Sequence, residues 1–224
     1  MKITHIRPYQ VLGIPDPFGE EIKFFMPQPQ GSGSVSTIES ILLLKLMRVV
    51  NATFIFEFGT YKGLTTRLLL ENLPYRDLEI ERIFTLDLPS LDGISFQGTD
   101  ADVASEAVGF RRKYLASSKK HLVKQILLDC LEFDPEPFLK KFQLIFIDGN
   151  HELKYVQSDT KNSLEMIASS SSCIVWHDYG NPEFPELTRY VDELAKQMNI
   201  YHIEDTMLAF HLRGISVAQR VLTS

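Results

Sequence analysis

The chain has 224 residues, a formal net charge of −6 and an apolar fraction of 44%. These values predict a globular protein with one full core and argue against disorder. The negative charge argues against a protein that binds nucleic acid by neutralising many phosphates, and the basic clusters at 111–113 and 119–120 favour a solvated helix face. No stretch approaches the roughly 18 apolar residues that span a membrane. We therefore expect no membrane partner. Cys130 and Cys173 lack a CxxC partner, which fits a reducing compartment, so we expect a cytoplasmic protein.

The first 34 residues are rich in Pro, Gly and Gln and predict an extended N-terminal arm. Residues 35–224 then form a single predicted domain. Its first element is a helix that Ser36 or Thr37 caps and that ends near Val50, with apolar residues at helical spacing. Because the arm carries aromatic residues that could reach a second subunit, the sequence leaves a homo-oligomer open.

Short apolar runs and helical patterns alternate along the rest of the chain. The strand-like runs are 53–58, 82–88, 122–128, 142–148 and 172–177, and the helical patterns are 64–72, 108–118, 153–168 and 185–198. Two closely spaced runs, 200–204 and 207–212, predict an antiparallel edge. Together they predict a doubly wound α/β fold, with a mostly parallel seven-stranded sheet and helices on both faces. Segment 89–107 fits neither period and predicts a lid or substrate loop.

The turn after the first of these runs is the most informative local pattern. Glu57 stands near the end of the run, and Gly59 and Gly63 follow before the next helix. Glycine lets backbone N–H groups approach a ligand closely, and ligands of open α/β sheets bind at this edge. Tyr61 stands where a dinucleotide fingerprint has its second glycine. The turn therefore favours a nucleoside without bridging phosphates.

Carboxylates end or follow five predicted strands: Glu57, Asp87, Asp129, Asp148 and Asp178. One such acid is often only a helix cap. However, the carboxyl ends of parallel strands meet at one rim of the sheet, so five acids in succession predict a shared site. Ribose hydroxyls and a base amino group are natural partners, because an ionised carboxylate only accepts hydrogen bonds.

An ordered set of motifs connects these strand ends. It consists of the Glu57–Gly63 turn, Thr85-Leu-Asp87, Leu128-Asp129, Phe146-Ile-Asp-Gly-Asn-His151 with Tyr155 and Asp159 after it, and Trp176-His-Asp-Tyr179. With this set, residues 34–212 resemble class I S-adenosylmethionine-dependent methyltransferases. The Ile-Asp-Gly-x-His piece, with His-Asp-Tyr after the next strand, is most similar to the small-molecule branch that includes macrocin-type O-methyltransferases.

The resemblance implies S-adenosylmethionine as the cofactor and a role for each matched position. The glycine turn would hold the methionine part, Asp87 would accept hydrogen bonds from the ribose, and Asp129 would lie near the adenine amino group. The complete implied cofactor set is Glu57, Gly59, Tyr61, Gly63, Asp87, Asp129, Cys130 and Asp148. The resemblance also implies that Asp148 and Asp178 bind a divalent metal and that His151 is the catalytic base.

Methyl transfer from a sulfonium needs a positioned acceptor and removal of its proton. His151 lies three residues past Asp148 on the predicted rim, and an imidazole titrates near neutral pH. We therefore predict His151 and Asp148 as catalytic residues.

Asp148, His177 and Asp178 form a candidate metal site, in which His177 stands where metal-binding relatives usually have an acid. Mg²⁺ would tolerate this histidine poorly, whereas Mn²⁺ or Zn²⁺ would accept it. A metal-free site, with His177 hydrogen-bonded to Asp148, stays open.

The leading hypothesis is O-methylation of a small-molecule hydroxyl, such as that of a sugar or phenol. One alternative is an NAD-dependent oxidoreductase on the same sheet, against which the missing middle glycine speaks. Another alternative is a non-catalytic module that retains the cofactor pocket and acts through partners. No motif indicates the acceptor.

Overall fold

The structure is a computed structural model that describes residues 2–16, 22–23, 35–73, 79–90, 99–107 and 109–215. The strands within these residues are β1 (Thr4–Ile6), β2 (Ile55–Phe58), β3 (Ile83–Asp87), β4 (Val123–Leu127), β5 (Leu144–Ile147), β6 (Ser172–Trp176), β7 (Tyr201–Ile203) and β8 (Ala209–Arg213). The α-helices are α1 (Pro8–Leu12), α2 (Thr37–Val49), α3 (Leu64–Glu71), α4 (Thr99–Ala107), α5 (Leu153–Met166) and α6 (Pro185–Leu194). None of the described helices is long and apolar enough to cross a membrane.

The described strands form one sheet in the order β1-β7-β8-β6-β5-β2-β3-β4. Within the series β6-β5-β2-β3-β4 each pair of adjacent strands is parallel, whereas β8 is antiparallel to both β6 and β7. This arrangement confirms the doubly wound, mostly parallel sheet and the antiparallel pair near the C-terminus. The sheet has eight described strands, not the predicted seven, because β1 joins its edge parallel to β7.

Alternate side chains of each central strand enter two separate cores, as the pleat of a β-strand requires. Ile55 packs with residues of α2 and α3 in one core, while its neighbour Phe56 packs with residues of α5 and α6 in the other. Both faces of the central strands are therefore covered, which explains their nearly continuous apolar sequence. The predicted helices on both faces are confirmed.

Part of the segment predicted as an extended arm is folded. Besides β1, it contains the short helix α1, and both elements bury side chains, since Ile6 is 1% exposed and Val11 is 0% exposed. These elements were not predicted because they are only 3 and 5 residues long, too short for a periodic apolar pattern. Residues 17–21 and 24–34 of the predicted arm lie outside the described residues.

The prediction of a helix over 108–118 is wrong for residues 109–118, which are the residues of this range that the structure describes. That part contains a 3₁₀ turn, Lys113–Ala116, while α4 occupies the end of the predicted loop 89–107. Gly109 has φ +76° and the Lys113 N–H donates to the Lys62 carbonyl at 2.8 Å, so tertiary contacts take the place of helical ones. Residues 91–98 and 108 lie outside the described residues.

The switch point of the sheet lies between β2 and β5, because the chain runs from β2 to β4 on one side and resumes at β5 on the other. Ligands of such sheets bind at the carboxyl ends beside this point. Gly59 follows β2 there with φ +90°, and a Cβ on it would lie 2.0 Å from the Asp148 carbonyl oxygen. Only glycine therefore lets the two strand ends meet.

We predict that Gly59→Ala lowers the free energy of unfolding by more than about 2 kcal/mol, because the left-handed backbone and the steric clash both contribute. Gly180→Ala is the matched control, since Gly180 has φ +83° and nothing within 4 Å of its added Cβ. It should cost about 1 kcal/mol, the backbone contribution alone. Urea unfolding checks both variants, and equal losses would contradict the proposed close contact.

Candidate active site

A cavity of about 490 Å³ opens at the switch point. This volume lies within the range of about 300–1,000 Å³ that is typical of small-molecule sites. The structure brings most of the predicted site residues together on its wall: Gly59, Tyr61, Asp87, Asp129, Cys130, Asp148, His151, His177 and Asp178. Glu57 and Gly63 are not among the described lining residues. The predicted acids thus converge on one hollow, with one exception.

The exception, Glu57, lies beneath the glycine turn and is 1% exposed. Its Oε2 accepts hydrogen bonds from Thr66 Oγ1 at 2.5 Å and Thr85 Oγ1 at 2.7 Å. Burial raises the pKa of Glu57 to about 8, although both threonine hydroxyls oppose the shift. The carboxyl group therefore carries a proton at neutral pH and ties β2 to β3 and α3.

Asp87 lies at the end of β3 and pairs with Arg112, whose Nη2 is 2.9 Å from Asp87 Oδ2. Its other oxygen, Oδ1, accepts a hydrogen bond from the Leu88 N–H at 2.9 Å. Burial raises the pKa of the Asp87 carboxyl, and the charge of Arg112 opposes this. A carboxylate with about four acceptor positions keeps capacity for hydroxyl donors.

Asp129 follows β4 and its Oδ1 accepts a hydrogen bond from the Leu131 N–H at 2.9 Å. It therefore caps a short 3₁₀ turn that begins at Cys130. Cys130 is buried, and burial raises the pKa of its thiol far above the ordinary range. The thiol is therefore protonated and forms part of the wall without acting as a nucleophile.

A second group of polar residues surrounds His177. The Nδ1 atom of His177 donates to Asp178 Oδ2 at 2.7 Å and lies 3.1 Å from Asp148 Oδ1, while its Nε2 lies 3.6 Å from Glu39 Oε2. Burial disfavours the imidazolium, but these three carboxylates raise the pKa of His177 well above its ordinary value. Asp148, His177 and Asp178 each offer a donor atom within 4.8 Å of the others, so they could hold a metal ion.

His151 lies between this group and an aromatic ring. Its Nε2 is 2.9 Å from Asp178 Oδ2, and its imidazole stacks on Phe184 with ring centroids 4.0 Å apart and an interplanar angle of 13°. Asp178 has φ +59°, a left-handed conformation that is strained for a residue other than glycine. Asn181 Nδ2 donates to the other Asp178 oxygen at 2.7 Å. The carboxylate is thus held where it can orient His151.

Several cavity-wall or supporting residues were missed by the sequence analysis, among them Glu39, Arg112 and Phe184. Glu39 lies in the first turn of α2, where its side chain and that of Ser36 form a capping box. Burial raises the pKa of Glu39, but His177, Ser36 and the Met207 N–H together lower it to about 2. Arg112 belonged to a run interpreted as a solvated helix face, and Phe184 had no motif. Their roles arise from contacts distant in sequence.

The mostly parallel sheet, with a cavity at its switch point and acids at successive strand ends, has the Rossmann-like α/β architecture. A family model described as a methyltransferase domain matches residues 56–179, which is more than half of the chain. The chain belongs to this methyltransferase family, which confirms the predicted enzyme class. A search of the curated proteins finds no match.

One solved structure with the same fold is the methyltransferase PaMTH1 of Podospora anserina bound to S-adenosylhomocysteine. The two sequences are 17% identical, the TM-score is 0.55, and the alignment covers 82% of this chain and 81% of PaMTH1. The O-methyltransferase TomG of Streptomyces achromogenes, involved in tomaymycin synthesis and in complex with S-adenosylmethionine, has 18% identity and TM-score 0.51, with 80% of each chain covered. A putative O-methyltransferase of Klebsiella pneumoniae has 17% identity and TM-score 0.54, with 81% of each covered. These similarities confirm the predicted fold.

The buried Glu57 should make the stability of the protein depend on pH. Its folded pKa of about 8 lies above the ordinary 4.5, so the folded protein retains a proton that the unfolded chain loses between these values. The stabilisation by Glu57 is therefore full below the lower value and declines as the pH rises towards the higher one. We predict that wild type loses stability relative to Glu57→Gln by up to about 1.4 kcal/mol per pH unit in this window.

Urea unfolding from about pH 5 to about pH 8 measures this difference. Glu81→Gln, a change at an exposed glutamate, is the control and should run parallel to wild type. If the Glu57→Gln curve is also parallel, Glu57 is ionised in the fold and the prediction fails.

Proposed function

We propose that this protein is an S-adenosylmethionine-dependent O-methyltransferase that acts on a hydroxyl of a small molecule. The observation that carries the proposal is the convergence of Gly59, Asp87, Asp129 and His151 on one cavity at the switch point. The methyltransferase family match and the neighbours bound to S-adenosylmethionine or S-adenosylhomocysteine support the same cofactor. They favour methyl transfer over the nicotinamide-dependent alternative.

The cofactor would bind across the carboxyl ends of β2, β3 and β4. Gly59 and Tyr61 would lie beside its methionine part, together with Asp148, whose backbone adjoins Gly59. Asp87 would accept hydrogen bonds from the ribose hydroxyls, and Asp129 and Cys130 would border the adenine. Glu57 and Gly63 would act through the shape of the turn, because neither is among the described wall residues.

The acceptor would enter on the side of His151, where Glu39, Phe184 and Met207 also line the cavity. His151 would take the proton from the acceptor hydroxyl as its oxygen attacks the methyl carbon of the sulfonium. Bound S-adenosylmethionine would supply an already activated methyl group, so the residues of this chain would need only to position the acceptor and remove its proton. TomG, which is involved in tomaymycin synthesis, supports a small-molecule acceptor.

The chemistry of Asp148, His177 and Asp178 fits a divalent ion that accepts both oxygen and nitrogen ligands, such as Mn²⁺ or Zn²⁺. An ion bound there would supply positive charge that polarises the acceptor hydroxyl. The same contacts also describe a metal-free network in which His177 bridges the carboxylates. A direct binding measurement distinguishes these two states of the site.

A crossed experiment tests the cofactor and metal assignments together. We predict that Asp87→Ala weakens S-adenosylhomocysteine binding about 10-fold or more, because a charge-assisted hydrogen bond is lost, and leaves Mn²⁺ binding unchanged. Asp178→Ala should abolish Mn²⁺ binding and change the affinity for S-adenosylhomocysteine less. Calorimetry follows the nucleoside and electron paramagnetic resonance follows Mn²⁺.

The reverse order of the two nucleoside affinities would show that the ribose is misplaced. If wild type releases no heat with S-adenosylhomocysteine at high micromolar concentration, the proposed function is wrong. If wild type fails to bind Mn²⁺, the metal-free network is the correct description and the cofactor assignment is unaffected.

His151→Gln tests the base. We predict a fall in kcat of about 10²- to 10⁴-fold, the usual contribution of a positioned base, with unchanged affinity for S-adenosylhomocysteine. The assay measures S-adenosylhomocysteine release with the acceptor identified from a panel of phenols and sugars. His121→Gln, a change at an exposed histidine, is the control and should keep full activity. A His151→Gln enzyme with wild-type kcat would exclude His151 as the base.

A further inference from the structure

Arg112 is a buried arginine that joins two separate parts of the cavity. It is 9% exposed, and its two terminal nitrogens contact different acceptors. Nη2 donates to Asp87 Oδ2 at 2.9 Å, and Nη1 donates to the carbonyl oxygen of Ala107 at 2.6 Å. One guanidinium thus connects the acid at the end of β3 to the last residue of α4.

The helix α4 forms one wall of the cavity, to which it contributes Val103, Ala104 and Ala107. A second contact fastens it to the glycine turn, because Glu106 Oε2 accepts hydrogen bonds from the Tyr61 hydroxyl at 2.8 Å and from Lys62 Nζ at 2.5 Å. Glu106 is exposed, so this second contact is screened by solvent. The Arg112 contact is the buried one of the two.

The backbone around Arg112 is also held in place. The Lys113 N–H donates to the Lys62 carbonyl at 2.8 Å. A Cβ on Gly63 would lie 3.2 Å from Arg112 Cβ and 2.9 Å from Tyr114 Cδ1, and Gly63 has φ +71°. The second glycine of the turn therefore makes room for the segment that carries Arg112.

From these contacts we infer that Arg112 is a positioning residue of the cofactor site, which orients Asp87 towards an adenosine ribose and holds α4 against the cavity. The inference rests on the proposed function, because it takes Asp87 as the ribose-binding acid. A planar guanidinium reaches two acceptors in fixed directions, whereas a lysine ammonium would replace it only as a point charge. Orienting Asp87 while holding α4 therefore needs both the charge and the forked shape of the guanidinium.

The test measures S-adenosylhomocysteine affinity by calorimetry and unfolding by urea for Arg112→Gln, Arg112→Lys and the matched control Arg111→Gln. Arg111 is the exposed neighbour of Arg112. We expect Arg112→Gln to weaken binding about 10-fold or more, as the loss of a charge-assisted contact implies, and Arg111→Gln to leave it unchanged. Arg112→Lys should lie between them, because it keeps the charge and loses the fork.

A second arm combines Arg112→Gln with Asp87→Asn. If Arg112 acts through Asp87, the double variant binds S-adenosylhomocysteine about as weakly as Asp87→Asn alone, because the two effects are coupled. Should Arg112→Gln fail to fold, the same comparison is made with Arg112→Lys, alone and combined with Asp87→Asn.

Three results would overturn the inference. The first is a lower unfolding midpoint for Arg112→Gln and Arg112→Lys with wild-type nucleoside affinity, which would make Arg112 merely structural. The second is full additivity with Asp87→Asn. The third is equal losses for Arg111→Gln and Arg112→Gln. In each of these cases wild type still binds S-adenosylhomocysteine, whereas failure of the proposed function would abolish binding by wild type itself.

Discussion

The close contact between Gly59 and the backbone of Asp148 is the constraint on which the site depends. A Cβ at position 59 would lie 2.0 Å from the Asp148 carbonyl, so the ends of β2 and β5 meet only because this residue has no side chain. The contact lies at the switch point of the sheet, where the chain leaves a hollow. It brings Asp148 beside the turn and places His151, three residues later, across the same cavity.

Buried carboxyl groups are costly unless they are neutral or paired, and this protein uses both solutions. Glu57 has a pKa of about 8 and is hydrogen-bonded by two threonines, so it supports the turn as a neutral group. Asp87 is paired with Arg112 and Asp178 with two histidines. The acids that look alike in the sequence are thereby separated into one structural group and several groups that face the cavity.

The two halves of the cavity differ in their chemistry. At the β3 and β4 side, Asp87 and Asp129 face a wall that α4 completes, which suits a nucleoside. At the β5 and β6 side, Asp178, with φ +59°, lies between His151 and His177, an arrangement that under the proposed function suits proton removal from the acceptor. Methyl transfer needs these two functions next to each other, since the sulfonium and the acceptor oxygen must be in line.

The order of apolar runs in the sequence was sufficient to predict the sheet and its doubly wound character, because these features depend on local periodicity. The strand-end acids and Gly59 were predicted from the shared rim of parallel strands, whereas Tyr61, Cys130, His151 and His177 were predicted with the help of the family resemblance; all of these except Glu57 line the cavity. Only the tertiary structure decided that Glu57 faces inward, that β1 joins the edge, and that Glu39, Arg112 and Phe184 belong to the site. Those outcomes depend on contacts between residues far apart in the chain, such as Arg112 with Asp87 and Glu39 with His177, for which local sequence carries no signal.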